Sequence, residues 1–408
     1  MKIKIKKIQI ISMMVLLTCL NISYLNMKFG GLNNLFFLIR ICLIIGFILI
    51  DVLRKTKYSN TFKVIILFFI WILFVTAYNH QDFVDALSSL SIPFLLTLYL
   101  DRSRNTSAIH YILSSWNYLL LILCLLDLAS MFFFPGGLYK TQIYSLNWFL
   151  GYKTARLVYI LPLCIIEAIL SYWKNAKLSI KSYCVFLLAL ITLAYSQATA
   201  AFASLLLICL FIVWLNLSRR QKMLKKIIWF ILDYRIVLTI CIFVNVLIVL
   251  IQNNPTIQFI ITNIFKKDAT LSTRTIIWER CFDILRENWI SGIGFLSGTN
   301  YENLLGSSYY SSPHNMALSI MMTGGAVALI FYIIIAVLAW KQVNNRSDFY
   351  CIFSCLGCIC VLIVGVTSSS IVFSMCGFIF FILMQIQLSE KRNKRKDNEL
   401  WKTKSKYF

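Results

Sequence analysis

Polar sequence is what this chain has least of. Of its 408 residues only 13% are charged and 60% are hydrophobic, and the mean hydropathy is +0.78. That much apolar surface has to be covered by lipid, which excludes an ordinary soluble protein and leaves a polytopic membrane protein. The chain also lacks an internal repeat, a Walker loop and a dinucleotide-binding glycine pattern, so nothing in it points to nucleotide chemistry. A disulfide framework is excluded from the polar region, because Cys281 alone of the thirteen cysteines lies there. Cys355-x-x-Cys358 sits mid-span with no nearby His or carboxylate and reads as small, polarisable helix packing. The first apolar run has no small-x-small site at Asn26-Met27-Lys28 and is expected to stay as a span. The net charge of +23 comes without a basic stretch interleaved with stacking aromatics, so no nucleic-acid partner is expected.

What is present is a series of apolar runs. A hydrocarbon core of about 30 Å needs roughly 20 helical residues. Twelve stretches qualify: 8–26, 34–53, 62–78, 84–100, 111–134, 155–173, 182–197, 198–217, 235–251, 315–340, 349–366 and 369–388. With the N-terminus inside, 29 of the Lys and Arg residues fall in inner segments and 9 in outer ones, Arg40 lying within the second run. By the positive-inside rule both termini are then cytoplasmic. The expected fold is an all-α polytopic membrane protein of about twelve transmembrane helices: nine over 1–251, one long extracytoplasmic loop over 252–313, three more over 314–388, and a basic cytoplasmic tail, 389–408, that touches anionic membrane lipids.

The long loop is the one polar stretch of any length and is where the chemistry is expected. Ser272-Thr273-Arg274-Thr275-Ile276-Ile277-Trp278 opens a helix-like segment to Leu285, Asn288 to Phe295 breaks it, and Ser312-Pro313-His314-Asn315 leads back into an apolar run. Arg274 and Trp278, one turn apart, share a helix face. Gly292-x-Gly294 is too short for a phosphate loop and reads as a tight turn over the membrane surface. Metal-assisted transfer would want paired acids, whereas Glu279, Asp283 and Glu287 recur every fourth residue beside Arg280 and Arg286, the pattern of a solvated face; no metal or other cofactor is expected. His80 and His110, in short loops, read as structural. His314, where the loop re-enters the apolar sequence, has the chemistry of a base that titrates near neutrality. A guanidinium at the bilayer centre costs about 2.5 to 3.5 kcal/mol. Arg156, opening the sixth run in Arg156-Leu-Val-Tyr159-Ile-Leu-Pro162, is then either a snorkelling anchor or a ligand-binding group, and Arg40 has packing and function open alike.

These segments, from the fifth run to the tenth, resemble the O-antigen polymerase and O-antigen ligase superfamily. The resemblance lies in an Arg shortly before a Pro at Arg156, with Tyr159 near the place of a usual Gly; in Arg274-x-x-x-Trp278; and in His314-Asn315 followed by an apolar run and Gly324-Gly325. Ser196-Gln197-Ala198-Thr199 is similar to a further family stretch, with Gln197 where an Arg is usual, although small-residue packing explains it equally. The resemblance implies a fold related to lipid-carrier glycosyltransferases and a polymerase of capsular, O-antigen or exopolysaccharide repeat units. Its implied partner is an undecaprenyl-diphosphate-linked oligosaccharide, with a flippase and a chain-length regulator as further partners. His314 would activate the acceptor hydroxyl, Arg156 and Arg274 would hold the diphosphate, and Asn315, Trp278, Arg280 and Arg40 are the candidates for substrate binding. A ligase with a lipid or protein acceptor, and a transporter or flippase of lipid-linked glycan, remain the alternatives.

Overall fold

The computed structural model describes residues 2–141, 146–175, 177–218, 233–251, 274–306, 312–344, 349–369 and 371–386. The first part of the long loop (252–273), most of the basic loop beginning at Arg219 (219–232) and the basic tail lie outside the described residues. The described secondary structure is helical: α1 Lys2–Cys19, α2 Ser23–Lys28, α3 Leu32–Leu53, α4 Asn60–Tyr78, α5 Phe83–Ser103, α6 Ala108–Phe133, α7 Leu157–Asn175, α8 Ile180–Tyr195, α9 Thr199–Ser218, α10 Tyr234–Ile251, α11 Arg274–Asn288, α12 Gly298–Leu305, α13 Met316–Asn344, α14 Phe349–Gly365 and α15 Cys376–Leu383. Only isolated bridges, Tyr139 with Asn147 and Trp148 with Gly151, interrupt that pattern among the described residues.

Among the described residues six helices, α3 to α7 and α13, are long and apolar enough to cross a membrane, which fits a chain that must satisfy every backbone polar group within lipid. α7 is the inner one. It packs on α6, α8, α14 and α15, and most of its side chains are buried. The two closely spaced runs 182–197 and 198–217 are separate helices, divided where Gln197 adopts a left-handed conformation (φ 56°). The last apolar run departs from expectation. Instead of a span over 369–388, it opens as turns and forms the eight-residue α15, with every residue of that helix buried. Buried carboxylates are more numerous than intramembrane charge suggested from sequence, and each has a cation: Asp51 with Arg102, Asp101 with Arg104, Glu167 with Lys181, and Asp127 with Arg156.

The described part of the long loop is built structure. α11, α12 and the start of α13 share an apolar cluster of their own, formed by Ile277, Trp278, Cys281, Leu285, Leu296, Tyr301, Leu305, Leu318 and Met322. Cys281 is 0% exposed and burial pushes its thiol up to about 12, so it cannot report the loop's sidedness to a thiol reagent. The solvated-face reading of this helix holds, with Glu279, Asp283 and Glu287 exposed and Asp283 in a surface pair with Arg286.

Two glycine pairs then lock the loop to the bundle. α13 breaks at Gly325 (φ 65°, ψ −164°), which strips backbone groups of their helical partners. The segment after α11 supplies replacements: Trp289 O accepts from Ala326 N at 2.8 Å, Ile290 O from Val327 N at 3.3 Å, while Ile293 N donates to Met322 O at 2.7 Å and Gly294 N to Thr323 O at 3.1 Å. Trp71 of α4 caps the remaining carbonyl, its Nε1 donating to Gly324 O at 2.7 Å. A Cβ on Gly292 would sit 2.6 Å from Gly325 N, and one on Gly325 would overlap the Ile290 carbonyl. Gly292-x-Gly294 is therefore a plug in a broken helix, where sequence spacing alone read a surface turn.

Candidate active site

The site is assembled from two loops that reach one cavity. The first joins α6 to α7. Asp127, a lone carboxylate in an apolar helix, is fully buried; its Oδ1 accepts from Leu150 N at 2.8 Å and its Oδ2 from Arg156 Nε at 2.8 Å. One turn on, Ser130 Oγ accepts from Phe149 N at 3.1 Å, and Trp148 Nε1 donates to Phe134 O at 2.9 Å. The loop is thus clipped to the end of α6, and the Trp148 ring lies 5.0 Å from the Arg156 guanidinium carbon. Arg156 is 0% exposed, and its two terminal nitrogens have no hydrogen-bond partner among the described residues. Full burial sets it apart from a snorkelling anchor, whose charged head would stay in water. Two unengaged nitrogens on a buried cation are expensive, and a binding site for an anion is one physical reason to keep them.

The second loop leads into α13. Trp278 Nε1 donates to Pro313 O at 2.8 Å, so the helix that begins at Arg274 is tied to the residue before His314. His314 adopts a left-handed conformation (φ 50°), uncommon for a residue with a side chain. Burial, and after it the positive charge of Arg274, push its imidazole down to about 4, so the ring is neutral at pH 7 and a weaker base than the near-neutral titration expected from sequence. Burial also lowers the pKa of Arg274, and no carboxylate pairs with it among the described residues. The cavity between the loops has a volume of about 370 Å³. Ala155, Val158 and Tyr159, around Arg156, form one wall; Ser312 and Pro313, before His314, form another; Tyr301, Ser319 and Thr323 close it on the side of α12 and α13.

Of the residues singled out from sequence, Arg274, Trp278 and His314 come together; Arg156 and His314 are not themselves in the cavity lining but follow the lining residues Ala155 and Pro313. Two of the expected substrate-binding residues are engaged by the protein itself. Arg40 donates Nε to Ser91 Oγ at 2.8 Å, one terminal nitrogen to Thr18 O at 2.8 Å and the other to Ser88 O at 3.2 Å, tying α1, α3 and α5 behind the cavity wall. Asn315 caps α13, its Oδ1 accepting from Leu318 N at 3.0 Å, and its Nδ2 donates to Asn245 Oδ1 at 2.9 Å and Val366 O at 3.2 Å. Arg280 donates to Leu305 O at the end of α12. Sequence reading missed Asp127 and Trp148. The signal for Asp127 was an acidic residue within the run 111–134; Trp148 carried none.

A family model described as O-antigen ligase matches residues 184–333. Residues 184–333 are thus similar to that family over a little more than a third of the chain. The match bears out the resemblance to the O-antigen polymerase and ligase superfamily and supports glycan transfer at that level. It runs from α8 into the second half of α13 and covers Arg274, Trp278, Arg280, His314, Asn315 and both glycine pairs, whereas Arg40, Asp127 and Arg156 precede it. No curated protein matches the chain.

Proposed function

We propose that this protein polymerises lipid-linked oligosaccharide repeat units on the outer face of the cytoplasmic membrane, moving the glycan from undecaprenyl diphosphate to a sugar hydroxyl of the next unit. The observation that carries the reading is the cavity bounded by the segments that hold Arg156 and His314, with two guanidinium nitrogens behind it that have no partner among the described residues. Planar guanidinium groups suit diphosphate oxygens, so Arg156 and Arg274 hold the donor and offset the charge that builds on the departing diphosphate. His314 takes the proton of the acceptor hydroxyl as that oxygen bonds to the anomeric carbon and the bond from that carbon to the diphosphate oxygen breaks; direct attack inverts the configuration. Donor binding tunes the base. The diphosphate charge offsets the repulsion from Arg274 that helps to hold His314 near 4, and so raises the imidazole toward neutrality, where a general base works best. The sugar–diphosphate bond is already activated, so the step needs no nucleotide.

The description of the matched family favours a second reading, a ligase that uses the same donor with a lipid or protein acceptor. Product analysis of a His314→Gln variant tests both. Glutamine keeps a hydrogen-bonding side chain but is no base, and a positioned base contributes about 10²- to 10⁴-fold. The expected result is single repeat units on carrier in place of a ladder of lengths. Normal-length polymer left on its carrier would mark the ligase. A normal, fully transferred ladder would overturn the transferase reading in favour of a transporter. Orientation is checked separately with an impermeant thiol reagent on intact cells: a cysteine at exposed Glu287 should label, and labelling only after lysis would reverse the proposed sidedness.

A further inference from the structure

We infer that Asp127 is a positioning residue that aims the Arg156 guanidinium at the donor diphosphate; the inference rests on the proposed role of Arg156. An arginine side chain has several rotatable bonds and little intrinsic reason to present one edge. Asp127 supplies the reason by accepting from Nε and not from the terminal nitrogens, which leaves the outer edge of the fork unengaged among the described residues. Its other oxygen is held by Leu150 N, so the carboxylate is itself fixed at both ends. The Trp148 face, 5.0 Å from the guanidinium carbon, restrains the plane of the fork, and Trp148 is anchored in turn through Phe134 O. A buried carboxylate beside an anion site is otherwise unfavourable, because it repels the ligand that the arginine attracts.

That repulsion makes the inference testable by sign. If Asp127 serves only as a counter-charge, Asp127→Asn should tighten an anionic ligand. If it positions the fork, the same variant should weaken binding in spite of the charge gained, since an amide can still accept from Leu150 N but must lose or distort the bond to Nε. The experiment measures the Kd of the full-length protein in lipid nanodiscs for farnesyl diphosphate, a short lipid diphosphate, alongside the melting temperature. The expected loss for Asp127→Asn is on the order of tenfold. A Kd that is unchanged or tighter, with Arg156→Ala losing the probe, overturns the positioning role and leaves the reading of Arg156 standing. Unchanged binding in Arg156→Ala overturns that reading and the inference with it. A lowered melting temperature with an unchanged Kd assigns Asp127 to stability alone and also overturns the inference. Should Asp127→Asn fail to accumulate, Trp148→Leu carries the test: it removes the restraining ring and keeps both ionic partners, so weaker binding supports the inference and an unchanged Kd overturns it.

Discussion

Arg40 and Arg156 are alike in sequence and opposite in bonding. Each is a guanidinium in or at the edge of an apolar run, each is almost wholly buried, and each stands just behind the same cavity, whose lining includes Cys19 and Ser89 beside the partners of Arg40 and Ala155 beside Arg156. Arg40 has no carboxylate, yet all three of its nitrogens donate to the protein, to Ser91, Thr18 and Ser88. Arg156 has a carboxylate, yet only one of its nitrogens is engaged among the described residues. The difference separates neutralisation from satisfaction. A buried cation whose nitrogens are all engaged is a fastener with little left to offer a ligand, whereas one that is neutralised and left under-bonded keeps two nitrogens in a dry setting where their donors count for more. Depth in a span does not tell these cases apart; the partners do.

The comparison breaks first where the scaffold breaks. Gly325→Ala leaves every named side chain in place but puts a Cβ onto the Ile290 carbonyl and penalises the left-handed backbone, so the plug of 289–294 should leave the gap in α13. The expected outcome is loss of nearly all transfer, with the loop near Trp289 opened to protease while the clamp of α1, α3 and α5 on Arg40 stays protected from hydrogen exchange. A variant with full activity and an intact loop would show that the interlock is dispensable.

A smaller effect sharpens the comparison on the side of His314. Arg274→Met removes a positive neighbour that disfavours the imidazolium, so the pKa of His314 in the free protein should rise from its value of about 4. The acid limb of kcat/KM, which reports the free enzyme, should then move to higher pH, while kcat/KM at neutral pH falls because a diphosphate ligand is gone. An acid limb that stays fixed would separate the two residues electrically.

Local and periodic features of this chain were legible in its sequence. The runs 34–53, 62–78 and 84–100 are helices over 32–53, 60–78 and 83–103, because lipid leaves the backbone no other way to satisfy itself. The facing pair Arg274 and Trp278 was legible from helical spacing. What escaped was non-local. Asp127 finds Arg156 across 29 positions of sequence, and Trp278 finds Pro313 across 35. The docking of Gly292 against Gly324 and Gly325 is a match of shape with no periodic signature. The last run was apolar enough for a span, but composition does not separate a lipid-facing helix from α15, which is buried among its neighbours.

If Arg156 is held for a ligand and Arg40 for the fold, a pair of lysine substitutions separates them. Lysine keeps the charge and loses the planar fork. The measurement is the ladder of surface glycan lengths for Arg156→Lys and Arg40→Lys at matched membrane abundance. The expected outcome is collapse of the ladder for Arg156→Lys in a protein that accumulates normally, and for Arg40→Lys a protein less stable by about 1 to 3 kcal/mol, from buried acceptors left short of donors, whose surviving molecules still build the full ladder. A normal ladder from Arg156→Lys, or a collapse confined to Arg40→Lys, would contradict it.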